Sequence, residues 1–215
     1  EKLRNETKPG DVILFKGIFR LPLFSIIDHA FATAFTYKAP YFSSIYCEDE
    51  NFTALYFDTF KECGLQKCKH KSHTVTIPDK IGAIPVHRIA RRVLAERAWL
   101  KEVDFGHSVK NIGVQSFYGC TKLKTLYIPA NVLYIEQEAF AYCTELETVT
   151  LEGVEHIEAM AFYSCRNLKT VRISDSCKTI EADVFSECPY VTIVAPENSV
   201  AHLYAVENNI RWKKA

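Results

Sequence analysis

The chain lacks a net charge. Its 215 residues include 26 lysines and arginines and 26 aspartates and glutamates, which cancel at neutral pH. An excess of basic residues draws a protein to nucleic acid or to an anionic membrane surface. The balanced composition therefore gives no indication of a nucleic-acid partner or of a charged membrane as the binding surface.

The chain also has no long uninterrupted apolar run. A membrane-spanning helix needs about 20 mostly apolar residues in succession. Charged residues, a histidine and a proline interrupt the most apolar region, Val12 to Phe35, at five positions: Lys16, Arg20, Pro22, Asp28 and His29. We therefore expect no membrane span in this chain.

Common catalytic signatures are missing as well. The sequence contains no G-x-G-x-x-G, G-x-x-x-x-G-K, H-E-x-x-H or G-x-S-x-G pattern, and each of these serves a defined chemistry at a defined spacing. The seven histidines are scattered along the chain. The sequence predicts a protein without enzymatic activity and without a cofactor.

What the chain does contain is a repeat of about 23 residues, the first property to seek in a sequence because it decides the fold. An aromatic residue is followed three places later by a cysteine, and an isoleucine precedes the aromatic by five places. The aromatics are Phe117, Phe140, Phe162 and Phe185. The cysteines are Cys120, Cys143, Cys165 and Cys188, spaced by 23, 22 and 23 residues. The isoleucines are Ile112, Ile135, Ile157 and Ile180.

A run of the type L-x-x-L-x-I follows each cysteine and is typical of a short strand. Such a short unit buries its apolar face only by stacking on its neighbours, with strands about 4.8 Å apart. The segment from isoleucine to cysteine suits one helical turn. We therefore predict an α/β fold, a leucine-rich-repeat solenoid with a parallel β-sheet on one face and short helical turns opposite.

The repeat resembles the BspA-type leucine-rich repeat family, found mainly in bacterial surface proteins. The family's unit A-F-x-x-C-x-x-L-x-x-I-x-I-P-x-x-V-x-x-I matches best at Ala139 to Ile157 and its neighbours, and the resemblance covers roughly residues 74–215. In the first unit, Ile89 and Leu94 take the isoleucine and aromatic positions, while Arg97 replaces the cysteine. From about residue 191 the sequence resembles the family's closing cap of strand, short helix and final strand.

The four cysteines of the repeat have three explanations: core packing, disulfides between neighbouring repeats, or a metal site. A buried free cysteine behaves as a small apolar residue. Equivalent positions in a solenoid form a line, whereas zinc needs a tetrahedron of ligands. Parallel side chains on adjacent repeats seldom reach the disulfide dihedral of about 90°. The pattern favours reduced core cysteines.

Residues 1–73 form a separate region in this prediction, with two alternatives for its structure. Ile26 and Phe31, and also Leu55, Phe60 and Cys63, follow the repeat's offsets and indicate degenerate repeats that begin near Val12. The other alternative is a small element that packs on the first repeat.

The amino-terminal region also holds two weaker signals. Cys63, Cys68, His70 and His73 lie close together but lack zinc-finger spacing, which leaves a solvated basic loop, a Cys63–Cys68 disulfide or a metal site as alternatives. The segment KPGDVILFKG resembles the start of permuted papain-like hydrolases. In such an enzyme a histidine base would contact a cysteine nucleophile, and the residues available are His29 with Cys47 or Cys63.

Side chains alternate along a strand, so the positions between the apolar ones line the exposed face of the sheet. Solenoids bind partners on such extended faces. We predict a ligand-binding face that is acidic at one end and basic at the other, made of Glu102, Asp104, Thr125, Tyr127, Thr148, Thr150, Thr170 and Arg172.

The family resemblance implies a secreted or cell-surface module that binds an extracellular protein or a glycan. The alternatives are a structural spacer, or a hydrolase in residues 1–73 that the repeats target to its substrate. No cofactor and no metal are implied.

Overall fold

The computed structural model describes residues 44–57, 62–69 and 71–215, which contain sixteen strands and one helix. The first eight strands are β1 Ser44–Glu48, β2 Phe52–Phe57, β3 Glu62–Cys68, β4 Thr74–Ile77, β5 Lys80–Ile81, β6 Ile84–Ile89, β7 Glu102–Phe105 and β8 Asn111–Ile112. The elements that follow are β9 Thr125–Ile128, β10 Tyr134–Ile135, β11 Thr148–Leu151, β12 His156–Ile157, β13 Thr170–Ile173, β14 Thr179–Ile180, β15 Thr192–Ala195, α1 Val200–Glu207 and β16 Arg211–Lys214.

Each turn of the chain, here called a rung, adds one strand to each of two sheets. The long-strand sheet runs in the order β9-β11-β13-β15-β16 and is parallel throughout, with the parallel pair β4-β7 at its amino-terminal side. The short-strand sheet joins β6, β8, β10, β12 and β14, also in parallel. The predicted solenoid with a parallel sheet is confirmed.

The strand residues alternate between core and surface as predicted. In β9, Leu126 and Ile128 are buried, whereas Thr125 and Tyr127 are exposed. Equivalent residues on successive rungs pair directly, and together they form what we call a column.

The predicted helical turns opposite the sheet are not confirmed. Each rung instead carries two hydrogen-bonded turns between its short strand and the next long strand, a surface that we call the turn face. Two residues per rung have positive φ at fixed positions, for example 53° at Glu138 and 61° at Tyr142. A right-handed helix cannot include these left-handed residues, so the chain turns sharply here and does not wind. Among the described residues α1 is the one helix, and it lies after the last rung.

The aromatic column forms a continuous stack through the core. The centroids of Phe117 and Phe140 lie 5.0 Å apart, those of Phe140 and Phe162 5.3 Å, and those of Phe162 and Phe185 5.6 Å. The interplanar angles are 11°, 7° and 13°. Phe105 and Tyr204 close the two ends of the stack edge-on. Offset stacking of this kind stabilises a core beyond simple area burial.

The cysteine column is reduced and buried. Each thiol donates to the carbonyl oxygen of the aromatic-column residue one rung earlier: Cys120 to Leu94 at 3.1 Å, Cys143 to Phe117 at 3.4 Å, Cys165 to Phe140 at 3.2 Å and Cys188 to Phe162 at 3.1 Å. The thiols therefore pack as core residues that also satisfy buried carbonyls, as the sequence indicated.

A column of glutamates ties successive turns together. The carboxylates of Glu136, Glu158 and Glu181 accept hydrogen bonds from backbone N–H groups of the preceding rung, at 3.2, 2.9 and 2.9 Å. Glu136 is nearly buried and also binds the Arg88 guanidinium at 2.6 Å. Backbone donors that the turns leave unpaired are satisfied in this way.

One rung is a residue shorter than its neighbours, and the loop between β11 and β12 absorbs the loss. A Cβ atom added at Gly153 would lie 2.2 Å from the carbonyl oxygen of Ala130 on the preceding rung. The shortened loop therefore passes so close to the earlier one that only glycine fits, while both flanking strands keep their register.

At the amino-terminal side, β2 pairs in antiparallel fashion with β1 and with β3, and β3 pairs in parallel with β6. Leu55 pairs with Gly64 in this antiparallel arrangement. Arg97, at the cysteine position of the first rung, donates to the carbonyl oxygen of Cys68 at 3.3 Å. Ile26 and Phe31 lie outside the described residues, as does Phe60.

At the other end, β15, α1 and β16 follow the last rung in the predicted order. The Ser199 hydroxyl caps α1 by accepting from the His202 backbone N–H at 3.2 Å. Tyr204 packs against Phe185, and the ring of Trp212 on β16 stacks on His202 at 4.1 Å. These contacts cover the end of the apolar core.

Removing one ring from the aromatic stack should be costly. We expect Phe140→Ala to lower the free energy of unfolding by about 3–5 kcal/mol, because the cavity lies between two close-packed rings. Phe140→Leu is the matched control, since Leu94 occupies the same column, and it should cost under about 1.5 kcal/mol. Urea denaturation measures both. An equal loss in the two variants would contradict the cavity as the cause, because leucine fills most of the space that alanine leaves empty.

The cysteine column should be inert in the folded protein. Burial raises the pKa of Cys120 and of Cys165, whereas a hydrogen bond with the Cys165 side chain lowers the pKa of Cys188. All four thiols are nevertheless buried, and a reagent must reach the thiolate in order to react with it. We expect a disulfide reagent, followed by peptide mapping, to label none of the four column cysteines in the native protein and all four in urea. Native labelling of the column would refute its assignment to the core.

Candidate ligand-binding face

The outward positions of the long-strand sheet form two straight columns. The first holds Thr125, Thr148, Thr170 and Thr192, which pair directly across β9, β11, β13 and β15. Threonine suits an exposed strand position. The column therefore gives the face a regular row of hydroxyl and methyl groups.

The second column carries the larger side chains. Tyr127 on β9 pairs with Thr150 on β11, which pairs with Arg172 on β13. Tyr127 has 58% of its surface exposed, which is high for a tyrosine. An exposed tyrosine and an arginine two strands apart are the residue types that carry most energy in protein interfaces.

Glu102 and Asp104 lie on β7, which pairs with β4 in a separate two-stranded ladder. Both are exposed, and Glu102 accepts a hydrogen bond from the Thr74 hydroxyl at 3.3 Å. β7 lies next to β9. The eight residues chosen from the sequence thus all lie on outward positions, six in the five-stranded sheet and two beside it.

The face extends further than the sequence analysis predicted. β16 pairs in parallel with β15, which places Arg211 beside Thr192 and Lys213 beside Val194. These positions were missed because no cysteine or leucine marks the final strand as part of the repeat. The alternation of apolar and charged residues over Ile210–Lys213 was the available signal.

The charges of the face are arranged by sign. Acidic groups lie at the β7 end, and Arg172, Arg211 and Lys213 lie at the β16 end. Arg172 and Lys213 form no ion pair with the described part of the chain. Near the start of the strands, by contrast, Lys169 pairs with Glu147 at 2.7 Å. That hydrogen bond lowers the pKa of the Glu147 carboxyl.

Two shallow depressions flank the basic end. One, of about 340 Å³, lies at the carboxyl ends of the strands beside Thr150, Arg172 and Asp175. The other, of about 450 Å³, lies near the starts of the strands beside Lys169, Tyr190 and Arg211. Both are open to solvent, and Arg211 donates to the Tyr190 carbonyl oxygen at 2.6 Å.

Neither the candidate metal ligands nor the candidate hydrolase residues of the amino-terminal region form a site within residues 44–57, 62–69 and 71–215. These ranges contain no group of three histidine, cysteine, aspartate or glutamate side chains placed to hold a metal ion. Cys63 and Cys68 are buried on β3, while His29 and His70 lie outside the described residues. In the same ranges no helix is long and apolar enough to cross a membrane.

Comparison with solved structures finds the same fold in one bacterial protein and a weaker similarity in others. The crystal structure of a leucine rich repeat protein from T. pallidum matches with a TM-score of 0.65 and 25% identity, over 68% of this chain and 70% of that one. A leucine rich cell surface protein from Faecalibacterium prausnitzii matches with a TM-score of 0.46 and 24% identity, over 70% of this chain and 54% of that one. A leucine-rich repeat protein from Bacteroides ovatus matches with a TM-score of 0.44 and 23% identity, over 76% of this chain and 48% of that one.

Comparison of the sequence leads to one family. No curated protein matches the chain. A family model described as the BspA type leucine rich repeat region matches residues 80–192 with 6 copies. This segment contains the short strands and turns of every rung, together with the aromatic and cysteine columns, whereas β4 and β16 lie outside it. The chain belongs to the BspA-type leucine-rich repeat family.

Proposed function

We propose that this chain is a non-enzymatic binding module of a bacterial cell-surface or secreted protein. It recognises an extracellular protein or glycan on the outer face of the long-strand sheet. The family supports this role, since BspA-type repeats occur mainly in surface proteins, but a fold alone does not determine function.

The observation that carries the proposal is the row of outward side chains held in register by the parallel ladder. Thr125, Thr148 and Thr170 pair residue for residue. The backbone beneath them is fixed, so little conformational entropy is lost when a partner binds. Tyr127 stands out from this surface as an anchor that a partner can cover.

The charge arrangement gives the partner an orientation. A ligand that presents acidic groups to Arg172 and Lys213, and basic groups to Glu102 and Asp104, meets opposite charge at both ends. Complementary charge of this kind accelerates association and sets orientation more than it adds affinity. The two open depressions suit the surface of a macromolecule better than a small molecule, which generally binds in an enclosed cavity.

We assign the binding unit to residues 74–215, with its cap from about residue 191, and treat residues 1–73 as a separate region. The contact of β16 with β15 supports counting the cap as part of the binding face.

An array of extracellular-matrix proteins and glycans tests the proposal. We expect a specific ligand whose affinity for the Tyr127→Ala/Arg172→Ala variant falls by more than about 1 kcal/mol, because exposed tyrosine and arginine anchors are removed. Arg91→Ala is the matched control, since Arg91 is an exposed arginine on the turn face, and it should bind as the parent does.

The salt dependence of binding gives a second readout. Arg172→Glu should slow association at low ionic strength and make the association rate less dependent on salt concentration. The variant removes a charge that attracts the ligand, and salt screens such an attraction beyond about 10 Å at 0.1 M. Unchanged affinity in the double variant would place the site elsewhere. If nothing on the array binds, the spacer alternative is favoured.

A further inference from the structure

Three tyrosines form a contiguous stripe on the turn face, away from the long-strand sheet. The ring centroids of Tyr118 and Tyr142 lie 5.1 Å apart, and those of Tyr142 and Tyr163 lie 5.4 Å apart. Tyr142 is 38% exposed, and its neighbours are partly exposed. We call these three residues the tyrosine stripe.

The middle residue of the stripe lies in an unfavourable backbone conformation. Tyr142 has φ 61°, a left-handed value that glycine adopts readily and that bulky residues rarely adopt. The same position has positive φ on the other four rungs, where it holds Glu96, Gly119, Ser164 and Glu187. The turn therefore does not require a tyrosine. Among these five residues Tyr142 alone is aromatic, and a bulky ring at a half-exposed, left-handed position points to a role other than stability.

Neighbouring rings in the stripe touch one another. The angles between the ring planes are 52° and 71°, so adjacent rings meet at an angle and leave no groove between them. Together they form a ridge. Proline-rich peptides dock into aromatic-lined grooves, and this ridge offers no such groove between its rings. A ligand must instead lie across the ridge and contact the rings from above.

The rim of the stripe carries both signs of charge. Arg92 lies over the Tyr118 ring at 5.6 Å and is paired with Glu96 at 2.6 Å. Glu138 lies near Tyr118, and Glu187 and Arg166 lie near Tyr163. With two arginines and three glutamates no single sign dominates, which disfavours a polyanion or a polycation. The rim offers hydrogen-bond donors and acceptors in about equal measure.

The tyrosine hydroxyls add neutral polar groups. The proximity of Tyr142, including a hydrogen bond from its side chain, raises the pKa of Tyr163. Partial burial and Tyr142 raise the pKa of Tyr118. Tyr118 and Tyr163 therefore remain uncharged at physiological pH.

We propose that the tyrosine stripe is a second binding site and that it takes a neutral oligosaccharide. Sugar rings present apolar C–H faces that pack on aromatic rings, and their hydroxyls both donate and accept hydrogen bonds. The repeat of an extended chain of pyranose rings is close to the spacing of the rungs, so successive sugars follow successive tyrosines. The sheet face and the stripe do not share residues, and the site is independent of the function proposed above.

The test is calorimetric titration of the purified chain with cellohexaose, chitohexaose and mannohexaose, with heparin and a decaproline peptide as charged and proline-rich comparisons. We expect at least one neutral hexasaccharide to bind. Tyr142→Gly should weaken that binding at least tenfold and leave the urea midpoint unchanged or higher, because glycine relieves the strain at this φ.

Two further variants separate loss of the ring from loss of the fold. Tyr142→Asn keeps a side chain that tolerates the left-handed conformation, as Asn198 and Asn209 show with φ 63° and 55°, and it should lose binding to the same extent. Tyr134→Ala removes an exposed tyrosine from the short-strand sheet, which belongs to neither proposed site, and should bind the sugar as the parent does.

The proposal is overturned if no neutral hexasaccharide binds the parent chain, or if Tyr142→Gly and Tyr142→Asn bind it unchanged. It is also overturned if heparin or decaproline binds in place of the neutral sugars and is lost in the Tyr142 variants, because the stripe would then serve another class of ligand. None of these results depends on whether Tyr127 and Arg172 bind a partner.

Discussion

The structure depends on one constraint: each rung must place its aromatic ring on the ring of the rung before it. With centroids 5.0 to 5.6 Å apart, the phenylalanine stack is only slightly wider than the spacing of about 4.8 Å between paired strands. The thiol of each column cysteine donates a hydrogen bond to the carbonyl oxygen of the aromatic-column residue one rung earlier. Side-chain packing and backbone pairing therefore impose the same repeat, and neither can change on one rung without disturbing its neighbours.

The core was predictable because the same pattern of core residues recurs in the sequence of each rung. Phe140, Cys143 and their equivalents recur at a constant offset from one another. A solenoid places residues with the same offset at the same position on each rung. The turns were not predictable in this way. Whether φ is positive at Glu138 or Met160 cannot be inferred from these residue types, which seldom adopt it. The short-strand sheet was missed because two residues are too few to show alternation.

The surfaces differ in the same respect. The outward residues of the long-strand sheet follow from alternation, so Tyr127 and Arg172 could be named from the sequence. The tyrosine stripe could not, because Tyr118 and Tyr163 precede their cysteines by two places and Tyr142 by one. The rings meet only because the backbone turn places residues at these two different offsets on the same side of the rung. A contact of that kind is a property of the backbone path and not of the repeat.

The short loop at Gly153 shows how this architecture tolerates change in length. A deletion between β11 and β12 altered one crossing of the chain over Ala130 and left the pairing on both sides intact. Losses and gains in such loops are local, because every rung restarts its register at the next strand. Duplication of a whole unit would lengthen the sheet by about 4.8 Å and keep every existing contact. The length of the long-strand face can therefore evolve in whole rungs, independently of its chemistry.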